Sequence, residues 1–167
     1  MNTKRIFQHL FYRRATMMRL FPSTTLDAIE NAVRVAETQH LGQIRFAIEA
    51  ALPLTVLFAD QSSRERALSV FAQLGVWDTE RNNGVLIYLL LADRKVEIVA
   101  DRGIHAKLGD ATWASICRAM ESHFRNGNFE QGALAGVKQV AAYLTAHYPQ
   151  GEGEESNELP DRPVLMP

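Results

Sequence analysis

Six oxygen-bearing side chains gather in two short stretches of the chain. Asp78, Glu80, Asn82 and Asn83 lie within Trp77-Asp78-Thr79-Glu80-Arg81-Asn82-Asn83-Gly84, and Asp101 and Asp110 follow a little downstream. Carboxylate and amide oxygens are hard ligands that suit Ca2+ or Mg2+ better than zinc. Arg81 and Arg102 add fixed positive charge, and His105 adds an imidazole able to move a proton near neutral pH. The same residue types also have a purely architectural use. Asp78-Thr79 and Asn82-Asn83-Gly84 are good turn formers, and Asp110 is a good helix cap. Both uses stay open until the elements that carry these residues are placed.

Gly84 opens Val85-Leu86-Ile87-Tyr88-Leu89-Leu90-Leu91, an almost unbroken apolar run typical of a strand covered on both faces. Asp93-Arg94 supplies a turn, and Lys95 to Asp101 reads as an antiparallel partner strand, so the two form a hairpin. The start of the first strand and the end of the second then share one edge. That brings the Asp78–Asn83 loop beside Asp101-Arg102-Gly103. An earlier strand is expected within Gln43 to Leu52, with Glu49 near its end at the opposite edge, beside Asp93-Arg94. A glutamate there needs a cation, a backbone donor or solvent if it is not to be buried alone, and Arg45 is one candidate cation, on the same strand face but at considerable distance.

Helical spacing marks Leu26, Ile29, Val33 and Ala36 after Pro22, then Ser62 or Ser63 to Leu74. Two more helices follow, one opening near Asp110 and carrying Trp113, Ile116, Cys117, Met120 and Phe124, the other running from Phe129 to Pro149. His40 reads as a cation at a helix C-terminus, and Cys117 as a small buried hydrophobe. The order helix, strand, helix, strand, strand, helix, helix describes an α/β sandwich around a small mixed sheet, with a right-handed parallel crossover and a hairpin.

The net charge of −1 conceals a strong partition. Met1 to Leu26 holds Lys4, Arg5, Arg13, Arg14 and Arg19 and no acid, whereas the segment after Gln150 holds five acids against Arg162. The expected organisation is a basic amphipathic segment over 1–21, an α/β domain over 22–149 and a disordered acidic tail over 150–167. In the first segment Ile6, Phe7, Leu10, Phe11, Met17, Met18, Leu20 and Phe21 interleave with the cations, the pattern of a helix lying on an anionic membrane surface or on a membrane protein. The same segment suits a helix packed on its own domain or a flexible arm. One cysteine excludes a disulfide framework, and no apolar run of about 18 or more residues exists to span a bilayer. The expected location is cytoplasmic, peripheral to a membrane. No nucleic-acid module, nucleophile elbow or phosphate-cradling loop is present.

Gly42-Gln43-Ile44, Asn82-Asn83-Gly84-Val85-Leu86, Asp93-Arg94 with Val96-Glu97-Ile98, Gly103, Leu108-Gly109-Asp110, and Phe124-Arg125-Asn126-Gly127-Asn128-Phe129 with Gly132 and Gly136 together resemble the TPM domain. The resemblance spans Leu26 to Tyr148. It implies an α/β/α sandwich and an acidic edge capable of holding a divalent metal, and it links the fold to phosphatase activity. The sequence departs from the commoner pattern in carrying Asp101-Arg102-Gly103 where many members have Gly-x-Gly. Two functional readings follow. One is a non-catalytic module, metal-binding through Asp78, Glu80, Asn82, Asn83, Asp101 and Asp110, that associates with a membrane protein or surface through residues 1–21. The other is a metal-dependent phosphomonoesterase with small phosphoester substrates. In it the Asp78/Glu80/Asp101 edge holds Ca2+ or Mg2+, Arg81 or Arg102 stabilises phosphate charge and His105 moves a proton.

Overall fold

A computed structural model describes residues 3–151 and 157–166 of the chain. A four-stranded sheet in the order β3-β2-β1-β4 lies between two helical layers. β1 (Gln43–Glu49) and β2 (Gly84–Leu90) are parallel centre strands, β3 (Lys95–Ala100) pairs antiparallel with β2, and β4 (Val164–Met166) pairs parallel with β1. β1 and β2 are buried at every position, as centre strands covered on both faces must be.

The alternation of strand side chains defines two cores. Ile44, Phe46, Ile48, Val85, Ile87 and Leu89 face α3 (Ser23–Glu37), α6 (Arg102–Arg125) and α7 (Phe129–His147). Ala47, Leu86, Tyr88 and Leu90 face α4 (Leu54–Phe58) and α5 (Ser63–Gln73). The α5 start matches the sequence expectation: Ser62 accepts the Glu65 N–H and Glu65 reaches back to the Ser62 N–H, a reciprocal cap.

The helix expected to open near Asp110 does so, directly after a break at Gly109, whose φ of 72° suits glycine; a short helix from Arg102, capped by Asp101, precedes it in α6. Three expectations are corrected. The basic segment is two helices, α1 (Thr3–Phe11) and α2 (Arg14–Leu20), and its second half belongs to the domain. Met17 and Phe21 are buried, and Phe21 meets Phe124 and Phe129 edge-on at 6.3 and 5.6 Å, so a boundary after residue 21 cuts through a packed core. The acidic tail is not disordered over 157–166. It forms β4, buries Leu159 and Met166, and takes Arg45, which donates to the carbonyls of Pro160 and Arg162. Residues 152–156, which carry most of the tail's acids, lie outside the described residues. His40 is buried and its imidazole is pushed down by burial, so it is a neutral interior group and not a helix-end cation.

Candidate functional site

At the edge where β1 and β2 begin, the loop and the turn into α6 meet as the hairpin geometry requires. Asn82, with φ of 51°, presents its carbonyl to the Gly103 N–H at 3.0 Å and its side-chain oxygen to Arg102 Nε at 3.2 Å. The Asp101 N–H donates to the Gly84 carbonyl at 2.8 Å, and Asp101 Oδ1 accepts from the Arg102 N–H at 2.7 Å. Gly103 is required by contact: a Cβ there would stand 2.4 Å from the Asn82 carbonyl.

The other residues proposed for this edge have different surroundings. Asn83 is buried, donating from Nδ2 to the Leu41 carbonyl at 2.9 Å and from its N–H to Thr79 Oγ1 at 3.1 Å. Asp78, Glu80 and Arg81 are exposed, and the Glu80 N–H donates to the Glu158 carboxylate at 3.0 Å. His105 stands 3.8 Å from Asp110, whose side chain is open to solvent. Among the described residues no three His, Cys, Asp or Glu side chains form a group that could hold a metal ion. Asn82 and Asp101 Oδ1 with Arg102 join the loop to α6, whereas Asp101 Oδ2 and Asn83 Oδ1 are buried with no hydrogen-bond partner among the described residues.

The opposite edge, where β1 and β2 end, carries the denser electrostatics. Glu49 is fully buried, and its partner is Arg66 of α5 rather than Arg45: Nη2 and Nε donate to the two carboxylate oxygens at 2.7 and 2.9 Å. Tyr88 Oη donates to Glu49 Oε2 at 2.5 Å. Burial, then the Glu49 charge, holds the Tyr88 phenol far above its ordinary range, so it acts only as a donor.

One step further along, Asp93 receives α1. Arg5 donates to it from Nε at 3.1 Å and Nη2 at 2.8 Å, with Nη2 also on the Gln61 carbonyl. His9 Nδ1 accepts the Leu52 N–H at 2.9 Å, so Nε2 carries the proton and donates it to Asp93 at 2.9 Å. Burial alone would raise the Asp93 carboxyl, but the hydrogen bonds from Arg5 and His9 outweigh it and hold it below the usual carboxylate range.

This anchoring turns α1 inside out. At 3.6 residues per turn Arg5 and His9 share the side that faces the domain, and Phe7, Leu10 and Phe11 lie opposite. Those three are 63%, 51% and 77% exposed, while Lys4, Arg13, Arg14 and Arg19 are exposed around them. Sequence reasoning registered the apolar and basic residues here but not the latch, because Arg5 and His9 find Asp93 more than 80 residues away. The helical offset between Arg5/His9 and Phe7/Phe11 was the available signal.

A four-stranded mixed sheet between two helical layers, its hairpin closed by an Asn-Asn-Gly loop on an Asp-capped helix, defines a three-layer α/β/α domain. The family model for the TPM domain matches residues 17–143, and the chain belongs to that family. The chain is similar to the BA42 protein of the psychrophilic bacterium Bizionia argentinensis, with 29% identity and a TM-score of 0.74 over 87% of this chain and 95% of that one. It shares its fold with the N-terminal domain of a P. gingivalis protein, at 24% identity and a TM-score of 0.57 over 73% of this chain and 76% of that one. Among curated proteins none matches. α1 precedes the part of the chain that the family model matches.

Proposed function

We propose that this TPM domain is a non-catalytic interaction module that attaches to an anionic membrane surface through the outward face of α1. The observation that carries the reading is the reversed polarity of that helix. Arg5 is turned inward onto Asp93, and Phe7, Leu10 and Phe11 are left to solvent on the side away from the domain. Such a face suits the boundary between headgroups and acyl chains, where apolar side chains insert while neighbouring cations contribute about 1 kcal/mol each near anionic lipid. The exposed Arg13 and Arg14 that follow the helix supply those charges. No helix among the described residues is long and apolar enough to cross a membrane, so the attachment is peripheral.

Flotation with vesicles tests this. The chain is expected to float with phosphatidylserine-containing vesicles, to stay behind with vesicles of phosphatidylcholine alone, and to lose binding as salt rises. The double variant Phe7→Asp/Phe11→Asp, which alters only exposed positions, is expected to remain folded and lose the interaction. Equal flotation by that variant, or equal recovery on neutral vesicles, overturns the proposal.

A further inference from the structure

On the α6/α7 side of the sheet, at the end of β2, a cavity of about 320 Å³ opens beside α2. Its apolar wall is made by Leu89 and Leu91 at the end of β2, by Tyr12 and Leu20 from the N-terminal segment, and by Phe124 and Phe129. The two phenylalanine rings stack at 5.4 Å and 12°, giving a flat and rigid surface.

Three arginines from three different elements line the same cavity: Arg19 of α2, Arg94 of the β2–β3 turn and Arg125 at the end of α6. None of the three guanidinium groups has a hydrogen bond or ion pair among the described residues. Arg94 is also held at a φ of 53°, an uncommon conformation for a residue with a Cβ. The one carboxylate in the lining, Glu121, is engaged elsewhere, accepting the Val96 N–H at 3.2 Å and lying 3.6 Å from Lys95 Nζ. The cavity therefore joins an apolar interior to uncompensated positive charge.

We infer that this cavity is a binding site for a single-chain amphiphilic anion, an apolar chain that fills the space over Leu89, Phe124 and Phe129 with a carboxylate or phosphate head held by Arg19, Arg94 and Arg125. An apolar cavity alone would accept any oily molecule. Guanidinium groups add a preference for planar or tetrahedral oxyanions, which they bind two-handed. The volume lies at the small end of ligand pockets, about 300–1,000 Å³, and accommodates one chain rather than the two of a bilayer phospholipid. The ligand is thus a free amphiphile, distinct from the membrane surface proposed for α1.

Isothermal titration of the full chain with decanoate, kept below its micellar range, tests the site. Saturable binding of one decanoate per chain is expected, with decanol and acetate each at least about ten-fold weaker because each lacks one half of the recognition. Arg94→Gln/Arg125→Gln is expected to weaken decanoate by about ten-fold or more, and Leu20→Trp, which fills the cavity from α2, to do the same. Two-dimensional amide NMR spectra verify that both variants stay folded. Absence of saturable binding, decanol binding as tightly as decanoate, or indifference to the arginine and Leu20 substitutions overturns the inference. Phe7→Asp/Phe11→Asp should bind decanoate normally even where it loses vesicles. Loss of decanoate binding in that variant would mean adsorption to α1, and would also overturn the site.

Discussion

Arg5 and Asp93 are separated by 88 positions in the chain, yet Arg5 Nη2 lies 2.8 Å from Asp93 Oδ2 and Nε reaches both carboxylate oxygens. This two-handed contact, completed by His9, decides which side of α1 faces the domain and which side faces out.

Asp93→Asn should release α1. Amide hydrogen exchange over residues 4–11 is expected to rise toward unprotected rates, with a stability loss of about 1–3 kcal/mol, the usual cost of stranding a buried polar partner. Because the native Asp93 carboxyl is held below its ordinary value, its contribution is complete above the unfolded-state value of about 3.9 and is lost only as pH falls through the lower native value. The latch should therefore hold at neutral pH and open in strong acid. Unchanged exchange in the variant would show that α1 is held by other contacts.

Arg66→Met should be the most damaging single change at this edge. It leaves the Glu49 carboxylate fully buried with only the Tyr88 hydroxyl for company, and a buried charge stripped of its partner costs about 3–5 kcal/mol. Urea denaturation measures it. Adding Glu49→Gln to Arg66→Met should recover part of the loss by removing the stranded charge. No recovery would mean that Arg66 contributes through packing.

Glu37 gives the fold a pH dependence of the opposite sign to Asp93. Burial raises its carboxyl to about 8 although Oε1 accepts the Ile44 N–H at 2.8 Å, and Oε2 is buried with no hydrogen-bond partner among the described residues. A carboxyl whose native value is raised binds its proton more tightly when folded. Its contribution is full below the unfolded value of about 4.3 and declines as pH rises through about 8, by up to about 1.4 kcal/mol per pH unit. Glu37→Gln keeps an acceptor for Ile44 and removes the titration. Melting temperatures followed from pH 5 to 9 should fall less steeply for the variant than for the parent chain.

A chain ending at residue 151 should lose stability out of proportion to the few residues that the tail adds to the sheet. It forfeits β4, uncovers the Ala47–Glu49 edge of β1, and removes the carbonyls that receive Arg45. Burial of Leu159 and Met166 alone is worth about 3 kcal/mol or more. Thermal unfolding of the shortened chain checks this, and a midpoint equal to that of the full chain would show β4 to be dispensable.

The legibility of this fold from sequence follows the range of the interactions. The Val85–Leu91 run, the Asp93-Arg94 turn and the helical spacing of Leu26, Ile29 and Val33 are local patterns, and each became the element that its period dictates. The junction of Asn82 with Asp101-Arg102-Gly103 was also readable, because a hairpin of known register brings its two ends together. Residues 157–166 depart from what their composition suggests, because composition governs disorder only when no partner is offered. The open edge of β1 offered Val164–Met166 a ladder, and two apolar side chains a core.

The sequence by itself determined an α/β sandwich with a hairpin, since these rest on side-chain periodicity and turn chemistry within a few residues, and the resemblance carried by its motifs implied the three-layer α/β/α arrangement. Only the tertiary structure decided how the charged groups are used. It paired Glu49 with Arg66 and Asp93 with Arg5 and His9, tied the expected acidic edge into a structural joint, and left Phe7, Leu10, Phe11 and three arginines without internal partners. Those outcomes depend on which oppositely charged group reaches a buried carboxylate first in space. Packing and loop closure set that, and sequence separation does not record it.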